Sequence, residues 1–550
     1  MLGAVVMIDP DALVGDAGLL ASRRPYAVLM AFCLLLWLPG LFTLPPTDRD
    51  ESRFAQASKQ MIETGDGVRI MNGTEPRNRK PIGIHWMQVP FAAVAEAAGL
   101  ATENPVWPYR LPSLFGALVA VLATFGLGQR LVGRPAALLA AGMLAACVLL
   151  TVEAHLAKTD AALVGATTAA MGLLGWAYRG PATFGWRHAA TFWLAMGIGI
   201  LLKGPITPMV AALACITLTL WDRQMGWMRA LRPSWGLALM SLVVVPWFAA
   251  IGVATHGAFF HDAVGGDLGR KLSSGDDAHG GPPGLHLLLL PLLAFPSSLL
   301  VLRALPDLWR RRDDATRFLV AWVVPSWAVF EMVPTKLPHY ALPLYPALFL
   351  LAARATTDPA ECALPRLWAT GSNLLTATAA VLIGLAAVSL PFALHASPWV
   401  SVPAAAAAIL AGWLALQPGR PVLALAAMPL VTGALLGMEL PGLDPLWIAP
   451  RIEHVLVGAG LAGRTLGAVG FHEPSLMFLA GTRTELLGTG AAGADALEAG
   501  EIAALIVSVG DEAAFQAEAA RLDLAPVPVG HVGGFNYSRG KSVWLTIYRR

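Results

Sequence analysis

Apolar runs long enough to cross a membrane recur along most of this chain and constrain its fold more than any other feature. A helix needs roughly 20 mostly apolar residues to span a bilayer, and the first such run covers residues 25–44. Of the 550 residues, 56% are hydrophobic and only 13% are charged. A chain of this composition cannot fold mainly as a water-soluble globule. We therefore predict a polytopic α-helical membrane protein.

Twelve further runs follow the first, so the sequence predicts about thirteen transmembrane helices. The later runs cover residues 109–130, 135–151, 160–177, 188–202, 205–220, 235–251, 285–305, 318–333, 338–353, 367–394, 402–416 and 422–440. Asp9, Asp11 and Asp16 precede Arg23 and Arg24. This is the wrong charge order for a cleaved signal peptide, so we expect the first span to be retained.

The distribution of arginine predicts the topology of these spans. Arg23 and Arg24 precede the first span and place the N-terminus in the cytoplasm, because short cytoplasmic loops are rich in Lys and Arg. Residues 82–100 are apolar but contain polar side chains, and we interpret them as a helix lying in the interface. That choice leaves Arg130 and Arg134 in the cytoplasm. An odd number of spans then leaves the C-terminus on the outer, periplasmic side.

The last part of the chain has a different composition. Residues 442–550 are richer in charge and glycine, and short β-like runs (465–471, 502–509 and 543–548) alternate with helix-like ones (494–497 and 511–520). We predict a transmembrane domain at 1–441, with a first outer loop and juxtamembrane helices at 45–108, and a small α/β domain at 442–550. The four cysteines suggest neither disulfides nor zinc.

Ionisable residues concentrate in the predicted outer loops. The first loop, residues 47–86, begins with Asp48, Asp50, Glu51 and Arg53 and closes with Arg77, Arg79 and Lys80. Charged groups at the ends of spans indicate a functional site by default, since they are costly there without a partner. Taken singly, each could equally be a snorkelling or interfacial side chain, and Asp50 could instead cap a helix that starts near Ser52. Their convergence on one side favours a site.

Six motifs follow one another in the order of a known family. They are DRDESRFAQA, NRKPIGIHW, AKTDAAL, LLKGP, HGGPPG and KLPHYALPLYPAL. In this order the chain resembles the bacterial lipid A aminoarabinose transferases and, more distantly, protein O-mannosyltransferases. The resemblance covers the whole membrane part, and KLPHY is its most specific motif. It implies the GT-C glycosyltransferase fold and a sugar donor carried on polyprenyl phosphate.

The resemblance also implies roles for individual residues. Asp50 would be the catalytic carboxylate, with Asp160 in support and Glu51 as a less favoured substitute. Lys80 and Arg270 would match the family's carrier-phosphate contacts, and we expect the loop cations Arg79 and Lys203 to bind the donor phosphate as well. Further substrate contacts would come from Arg53, His85, Lys336, His339, Tyr340 and His279.

One position departs from the family pattern. The family usually has Glu directly before the lysine that aligns with Lys80, and this chain has Arg79 there. The added cation fits an acidic sugar better, by charge complementarity. No cofactor is required by these residues, and use of a divalent metal stays open.

We therefore expect an inverting glycosyltransferase of the bacterial inner membrane, with a periplasmic active site that transfers a sugar to lipid A or a related glycolipid. A protein O-glycosyltransferase of the same fold is the alternative acceptor class. A transporter or flippase of lipid-linked sugars is the alternative from another class, although transporters favour midplane charges and repeated halves. We expect the protein to be a monomer that contacts membrane lipids, and we do not expect it to bind nucleic acid.

Overall fold

The computed structural model describes residues 23–101, 105–268, 280–308, 310–358, 364–417 and 419–550. Helices dominate the part before residue 445. The α-helices there are Pro25–Trp37, Asp50–Thr64, Gly83–Ala97, Trp107–Val132, Arg134–Ala146, Val148–Ala154, Asp160–Arg179, Trp186–Lys203, Ile206–Asp222, Pro233–Ala254, Ala258–Phe260, Leu285–Leu293, Ser298–Leu308, Asp314–Met332, Tyr345–Thr357, Arg366–Ala393, Val402–Ala415 and Pro421–Ala434. Short 3₁₀ helices cover Pro181–Thr183, Gly226–Leu231, Pro338–Leu344, Pro398–Ser401 and Asp444–Leu446, and π-helices cover His261–Leu268 and Leu435–Glu439.

Within the described residues, 6 helices are long and apolar enough to cross a membrane, or 7 if one bent pair is counted as a single span. They are Trp107–Val132, Asp160–Arg179, Pro233–Ala254, Arg366–Ala393, Pro398–Ala415 and Pro421–Glu439. Pro25–Trp37 and Ile206–Asp222 are shorter apolar helices. This confirms a multi-pass membrane protein, while the count of about thirteen spans stays a prediction.

Three predicted spans are interrupted. The run at 135–151 consists of Arg134–Ala146 and Val148–Ala154, which bend by 60° at Cys147. The run at 285–305 breaks between Leu285–Leu293 and Ser298–Leu308, and the run at 338–353 begins as the 3₁₀ helix Pro338–Leu344. Helices at membrane depth tolerate such breaks where neighbouring groups satisfy the freed backbone. Accordingly, the Val148 N–H donates to the Phe295 carbonyl at 3.2 Å.

Two central helices cross closely through small residues. A Cβ atom added at Gly116 would lie 2.3 Å from the Ala162 Cα, and one added at Gly165 would lie 2.5 Å from the Gly116 carbonyl oxygen. Small residues at such crossings let helix backbones approach each other. The contact between Trp107–Val132 and Asp160–Arg179 thereby fixes the helix end that carries Asp160.

The first loop contains two helices and a small hairpin. Helix Asp50–Thr64 leads to strands β1 (Met71–Asn72) and β2 (Glu75–Pro76), and helix Gly83–Ala97 follows. Arg49 occupies the N-cap position, with φ 65°, and Asp50 is the first helical residue. The suggestion that Asp50 caps a helix beginning near Ser52 is therefore wrong: the helix begins two residues earlier.

The C-terminal part forms a five-stranded mixed sheet. Its strands are β3 (Leu466–Val469), β4 (Glu485–Leu487), β5 (Ala504–Ser508), β6 (Val527–Asn536) and β7 (Lys541–Arg549), in the order β4-β3-β5-β7-β6. β3 pairs in parallel with β4 and β5, and β7 runs antiparallel to β5 and β6. Helices Ile448–Gly458, Pro474–Ala480, Gly490–Glu498 and Val509–Arg521 cover the sheet. This confirms the small α/β domain.

This α/β domain lies directly on the first loop. The Lys59 Nζ donates to the Phe478 carbonyl at 2.8 Å, and the Gln56 Nε2 donates to the Thr482 Oγ1 at 2.8 Å. Lys59 also lies over the Phe478 ring, 5.5 Å from its centroid. Both anchors come from helix Asp50–Thr64, so this helix lies between the α/β domain and the membrane helices.

Candidate active site

Five ionisable side chains meet at one end of the central helices. The Lys158 Nζ lies 2.9 Å from Glu153 Oε1 and 3.8 Å from Asp160 Oδ2, and the Lys203 Nζ forms an ion pair with Asp160 Oδ1. The His339 ring approaches both carboxylates, at 3.6 Å from Glu153 Oε1 and 3.7 Å from Asp160 Oδ1. We call Glu153, Lys158, Asp160, Lys203 and His339 the buried charge cluster.

The short segment between Val148–Ala154 and Asp160–Arg179 places Lys158 in this cluster. Its backbone is held by side chains of two neighbouring helices: the Ser113 Oγ donates to the Lys158 carbonyl at 2.9 Å, and the Gln88 Nε2 donates to the Ala157 carbonyl at 3.2 Å. Burial lowers the pKa of Lys158, but the charges of Glu153 and Asp160 raise it more, so the pKa lies above its ordinary value. The two carboxylates therefore favour the protonated form of Lys158.

The KLPHY segment closes one side of the cluster. Its His339 is buried among the charges, and the Tyr340 ring lies 4.9 Å from the Lys203 Nζ, in cation–π contact. Lys336 points elsewhere, since its Nζ donates to the carbonyls of Gly281 at 3.0 Å and Val333 at 2.7 Å. These contacts give Lys336 an anchoring role for the segment.

Asp50 and Lys80 border the cluster from the first loop. The Asp50 side chain is 53% exposed, and its Oδ1 lies 3.9 Å from the Arg77 Nη2. Its charge acts on Lys158, and the charge of Lys80 acts on His339. The Arg77 guanidinium in turn lies 4.1 Å from the Phe54 ring centroid. The charges of Asp50 and Lys80 therefore both reach the buried charge cluster.

Glu51 differs from Asp50 in every contact. Its side chain is fully buried in an ion pair with Arg110, at 2.7 Å from Oε1 to Nε. It also accepts N–H groups from Thr47 at 2.8 Å and from Ala157 at 2.9 Å. Burial raises the pKa of Glu51, but Arg110 and these donors lower it more, so its pKa lies below the ordinary value. These contacts favour a structural role over a catalytic one.

Three of the remaining predicted residues, Arg53, Arg79 and His85, do not belong to the buried charge cluster. Arg53 and Arg79 are exposed on the first loop. His85 is completely buried, with its Nδ1 2.8 Å from the Ser58 Oγ, and burial lowers its pKa to about 3. His85 is therefore a neutral core side chain in this structure. Arg270 and His279 lie outside the described residues.

Glu153, Asp160 and His339 could each offer one ligand atom to a metal ion, with these atoms within 4.8 Å of one another. The same carboxylate oxygens already face the ammonium groups of Lys158 and Lys203. A divalent cation would therefore be placed beside two cations. The donor set fits an internally neutralised ion-pair cluster better than a metal centre.

Two members of the cluster, Lys158 and Glu153, were not among the predicted site residues: Lys158 lies in the AKTDAAL motif, whereas Glu153 lies in none of the six motifs. It lies within an apolar run, TVEAHL, two residues before His155. A carboxylate inside a membrane run is itself a signal, because such residues mark functional or paired positions. The bend at Cys147 turns this segment toward the cluster.

Comparison with known proteins supports this description. The family model described as "Dolichyl-phosphate-mannose-protein mannosyltransferase" matches residues 87–258. An undecaprenyl phosphate-alpha-4-amino-4-deoxy-L-arabinose arabinosyl transferase from Pseudomonas aeruginosa (strain UCBPP-PA14) is 29% identical over 352 residues, which cover 61% of this chain and 60% of that protein. The protein of the same name from Erwinia tasmaniensis is 27% identical over 387 residues, covering 68% of this chain and 66% of that protein. Each match spans less than two thirds of the relative's length.

The structural match is more extensive. The crystal structure of ArnT from Cupriavidus metallidurans bound to undecaprenyl phosphate superposes with a TM-score of 0.73 at 22% identity, covering 96% of this chain and 98% of that one. The similarity that the motifs predicted is thus confirmed, and the chain has the GT-C fold of the aminoarabinose transferases.

Proposed function

We propose that this protein is a glycosyltransferase that moves a sugar from a polyprenyl-phosphate carrier to an acceptor at the membrane surface. The observation that carries the proposal is the placement of Asp50, an exposed carboxylate, beside Arg77 and next to the buried charge cluster. The similar proteins are named as transferases that use undecaprenyl phosphate-linked aminoarabinose, which agrees with this site.

The donor side of the site requires cations. When the sugar is transferred, its carrier departs as a polyprenyl phosphate anion, so positive groups near the scissile bond stabilise the charge that develops. Lys80 borders the cluster from the first loop, and Lys158 stays protonated there. The sequence-based assignment of donor phosphate to Lys80 and Arg270 remains part of the proposal.

The acceptor side requires a carboxylate. The acceptor oxygen attacks the anomeric carbon from the face opposite the phosphate, and the bond from that carbon to the phosphate oxygen breaks with inversion. The phosphate leaves with the bonding electrons, and the acceptor proton passes to Asp50 as general base. If the acceptor oxygen belongs to a phosphate, Asp50 would instead stabilise the positive charge on the sugar ring.

Asp160 acts differently in this scheme. It is buried and paired with Lys203 and Lys158, so it is placed to orient these ammonium groups and not to take a proton. Its support of Asp50 is therefore indirect: it holds the cations whose field acts on the reacting phosphate.

We propose lipid A or a related glycolipid as the acceptor, with the active site and the C-terminal domain on the periplasmic side of the inner membrane and the N-terminus in the cytoplasm. The match to the mannosyltransferase model is confined to residues 87–258, so it includes Lys158, Asp160 and Lys203 but not the C-terminal domain. The match therefore supports the proposed donor-binding residues more than it supports a protein as the acceptor.

The test uses purified full-length protein in lipid nanodiscs with radiolabelled polyprenyl-phosphate sugars, one aminoarabinose and one acidic. We expect release of polyprenyl phosphate together with labelled lipid A. Asp50→Asn should lower turnover by at least about 100-fold, while Glu75→Gln, which changes an exposed carboxylate in the same loop, should not. Near-normal turnover of Asp50→Asn would contradict the catalytic assignment. Label found on protein instead of lipid A would show that the acceptor is a protein.

A further inference from the structure

The backbone just before Asp50 adopts a conformation that ordinary side chains avoid. Arg49 has φ 65° and ψ −111°, although residues with a Cβ rarely take positive φ. Such strain persists only where surrounding contacts hold it, and it tends to occur at functional sites. The residue that follows is the proposed catalytic carboxylate. Contacts from outside this segment must therefore hold residues 47–50 in place.

The C-terminal domain supplies three of the contacts. The Asp48 N–H donates to the Tyr537 Oη at 2.6 Å, and the Arg49 guanidinium donates to the Ser538 carbonyl. In return, the Ser475 N–H donates to the Asp48 Oδ1 at 3.4 Å. Both residues that precede Asp50 are thus bound to a domain more than 400 positions later in the chain.

The turn that carries Tyr537 and Ser538 is itself well held. It connects β6 to β7, and the Asn536 side chain closes it by accepting the Arg539 N–H at 3.1 Å. The Asn536 Nδ2 also donates to the buried Glu473 Oε1 at 2.8 Å. A turn fixed in this way can transmit a defined position to what it contacts.

We propose that the β6–β7 turn is a positioning element for catalysis, with Tyr537 as its principal positioning residue. The Tyr537 hydroxyl and the Ser538 carbonyl hold Asp48 and Arg49, and thereby fix the direction in which Asp50 enters the active site. The proposal rests on the proposed function, because it assigns the C-terminal domain a role at Asp50. A small displacement of a reacting group is sufficient to slow catalysis by about 100-fold.

Simple domain docking is the competing explanation. Docking does not depend on the Tyr537 hydroxyl, since Lys59 bonds the Phe478 carbonyl and Gln56 bonds Thr482 independently of it. Removal of the hydroxyl should therefore leave the domain in place while it loosens residues 47–50. A positioning role predicts slower chemistry with unchanged donor binding, and docking alone predicts no change in either.

The test compares two Tyr→Phe variants of the full-length protein. Tyr537→Phe removes the group that holds Asp48, and Tyr548→Phe removes a hydroxyl of the same domain that contacts Gln516 and Glu512. We expect kcat of Tyr537→Phe to fall by about 10- to 100-fold with KM for the donor unchanged. Tyr548→Phe should keep wild-type kcat. Hydrogen exchange should quicken in the peptide containing residues 47–50 in Tyr537→Phe only.

A double variant separates this inference from the proposed function. If Tyr537 acts through Asp50, Tyr537→Phe should cause no further loss in an Asp50→Asn background. Wild-type kcat in Tyr537→Phe, or a full additional loss in the double variant, would overturn the positioning role. Near-normal turnover of Asp50→Asn would overturn the catalytic assignment instead, and the exchange measurement would still report whether the turn holds the loop.

Discussion

Glu51 and Arg110 form a bidentate ion pair that is completely shielded from solvent. The Arg110 Nε lies 2.7 Å from Glu51 Oε1, and its Nη2 lies 3.0 Å from Glu51 Oε2. The Arg110 Nη1 also donates to the Leu44 carbonyl at 2.7 Å. Together with the Ala157 N–H on Glu51, the pair joins the first loop, a central helix and the segment that carries Lys158. It thus connects the first loop with the segment that carries Lys158, and both contribute to the candidate active site.

This pair gives the first prediction. Glu51→Gln should lower the free energy of unfolding by about 3–5 kcal/mol, because Arg110 would remain as a buried charge without its counterion. Thermal unfolding in detergent should show the change. Asp50→Asn, one residue earlier and half exposed, should leave the melting temperature near that of the wild type. A Glu51→Gln variant that melts normally yet has lost activity would restore Glu51 as a catalytic candidate.

The pKa of Glu51 adds a pH dependence with a definite sign. Because its pKa in the folded protein is lower than usual, ionised Glu51 stabilises the fold above the unfolded pKa of about 4.3. That contribution is lost as the pH falls through the folded value. Melting temperatures of wild type and Glu51→Gln should therefore converge under acid conditions and differ most at neutral pH. A difference that stays constant with pH would contradict this ionisation.

Asp48 should show the opposite pH dependence. Burial raises its pKa from 3.8 to about 6, with Glu473 adding to the rise and the bonds from Ser475 opposing it. A raised carboxyl pKa means that ionisation costs stability, so the stability of the folded state falls as the pH rises from about 4 to 6. Asp48→Asn should remove this loss and gain on the order of 2 kcal/mol at pH 7. Melting temperatures at pH 4 and pH 7 provide the measurement; equal pH slopes in both proteins would refute it.

The sequence predicted the outline of this fold for a physical reason. Hydrophobic run length and arginine placement are local signals, and they suffice to indicate helices and the change to a soluble α/β domain near residue 442. The motif order also indicated that Asp160, Lys203 and His339 belong to one site. The structure places Asp160 in contact with both Lys203 and His339.

The partners of individual charges were beyond local signals. Glu51 stood in the sequence as a less favoured substitute for Asp50, and the structure pairs it with Arg110, 59 positions away. Lys336 and His85 lie in motifs that the resemblance covers. In the structure, Lys336 donates to backbone carbonyls and His85 lies beside a buried hydroxyl. Glu153 was missed because its partner Lys158 lies beyond the end of its helix, and only the folded chain brings the two side chains to 2.9 Å. Pairings of this kind follow from tertiary contacts.

The buried charge cluster predicts strong energetic coupling between Glu153 and Lys158. Their atoms lie 2.9 Å apart with both side chains almost fully buried. Removing either charge should destabilise the protein, since it leaves the other unpaired. The double variant Glu153→Gln/Lys158→Met should lose less unfolding free energy than the two single variants lose together. The difference, which is the coupling energy, should be about 0.5–3 kcal/mol. Strict additivity in this cycle would show that the pair does not act as a unit.

The same pairing predicts that this cluster does not depend on a metal ion. Lys158 and Lys203 supply the positive charge that a divalent cation would bring to Glu153 and Asp160. Metal bound per protein, measured by mass spectrometry, should therefore be equal in the wild type and in His339→Gln. Bound metal that disappears in His339→Gln while the fold is retained would show that Glu153, Asp160 and His339 form a metal site.

The last prediction separates two lysines that the sequence placed together as donor phosphate ligands. Lys203 is paired with Asp160, whereas Lys80 borders the cluster and acts on His339. The resemblance matches Lys80 to a contact with the carrier phosphate, and Lys203 is already engaged by Asp160, so the binding of a new anion should depend more on Lys80. Lys80→Gln should raise the Kd for polyprenyl phosphate by at least about 10-fold, as expected for loss of a charge-assisted contact. Lys203→Gln should instead lower kcat and the melting temperature, since it leaves Asp160 with less compensation. Binding titrations with polyprenyl phosphate, alongside turnover, distinguish these effects; a larger binding loss in Lys203→Gln than in Lys80→Gln would reverse the assignment.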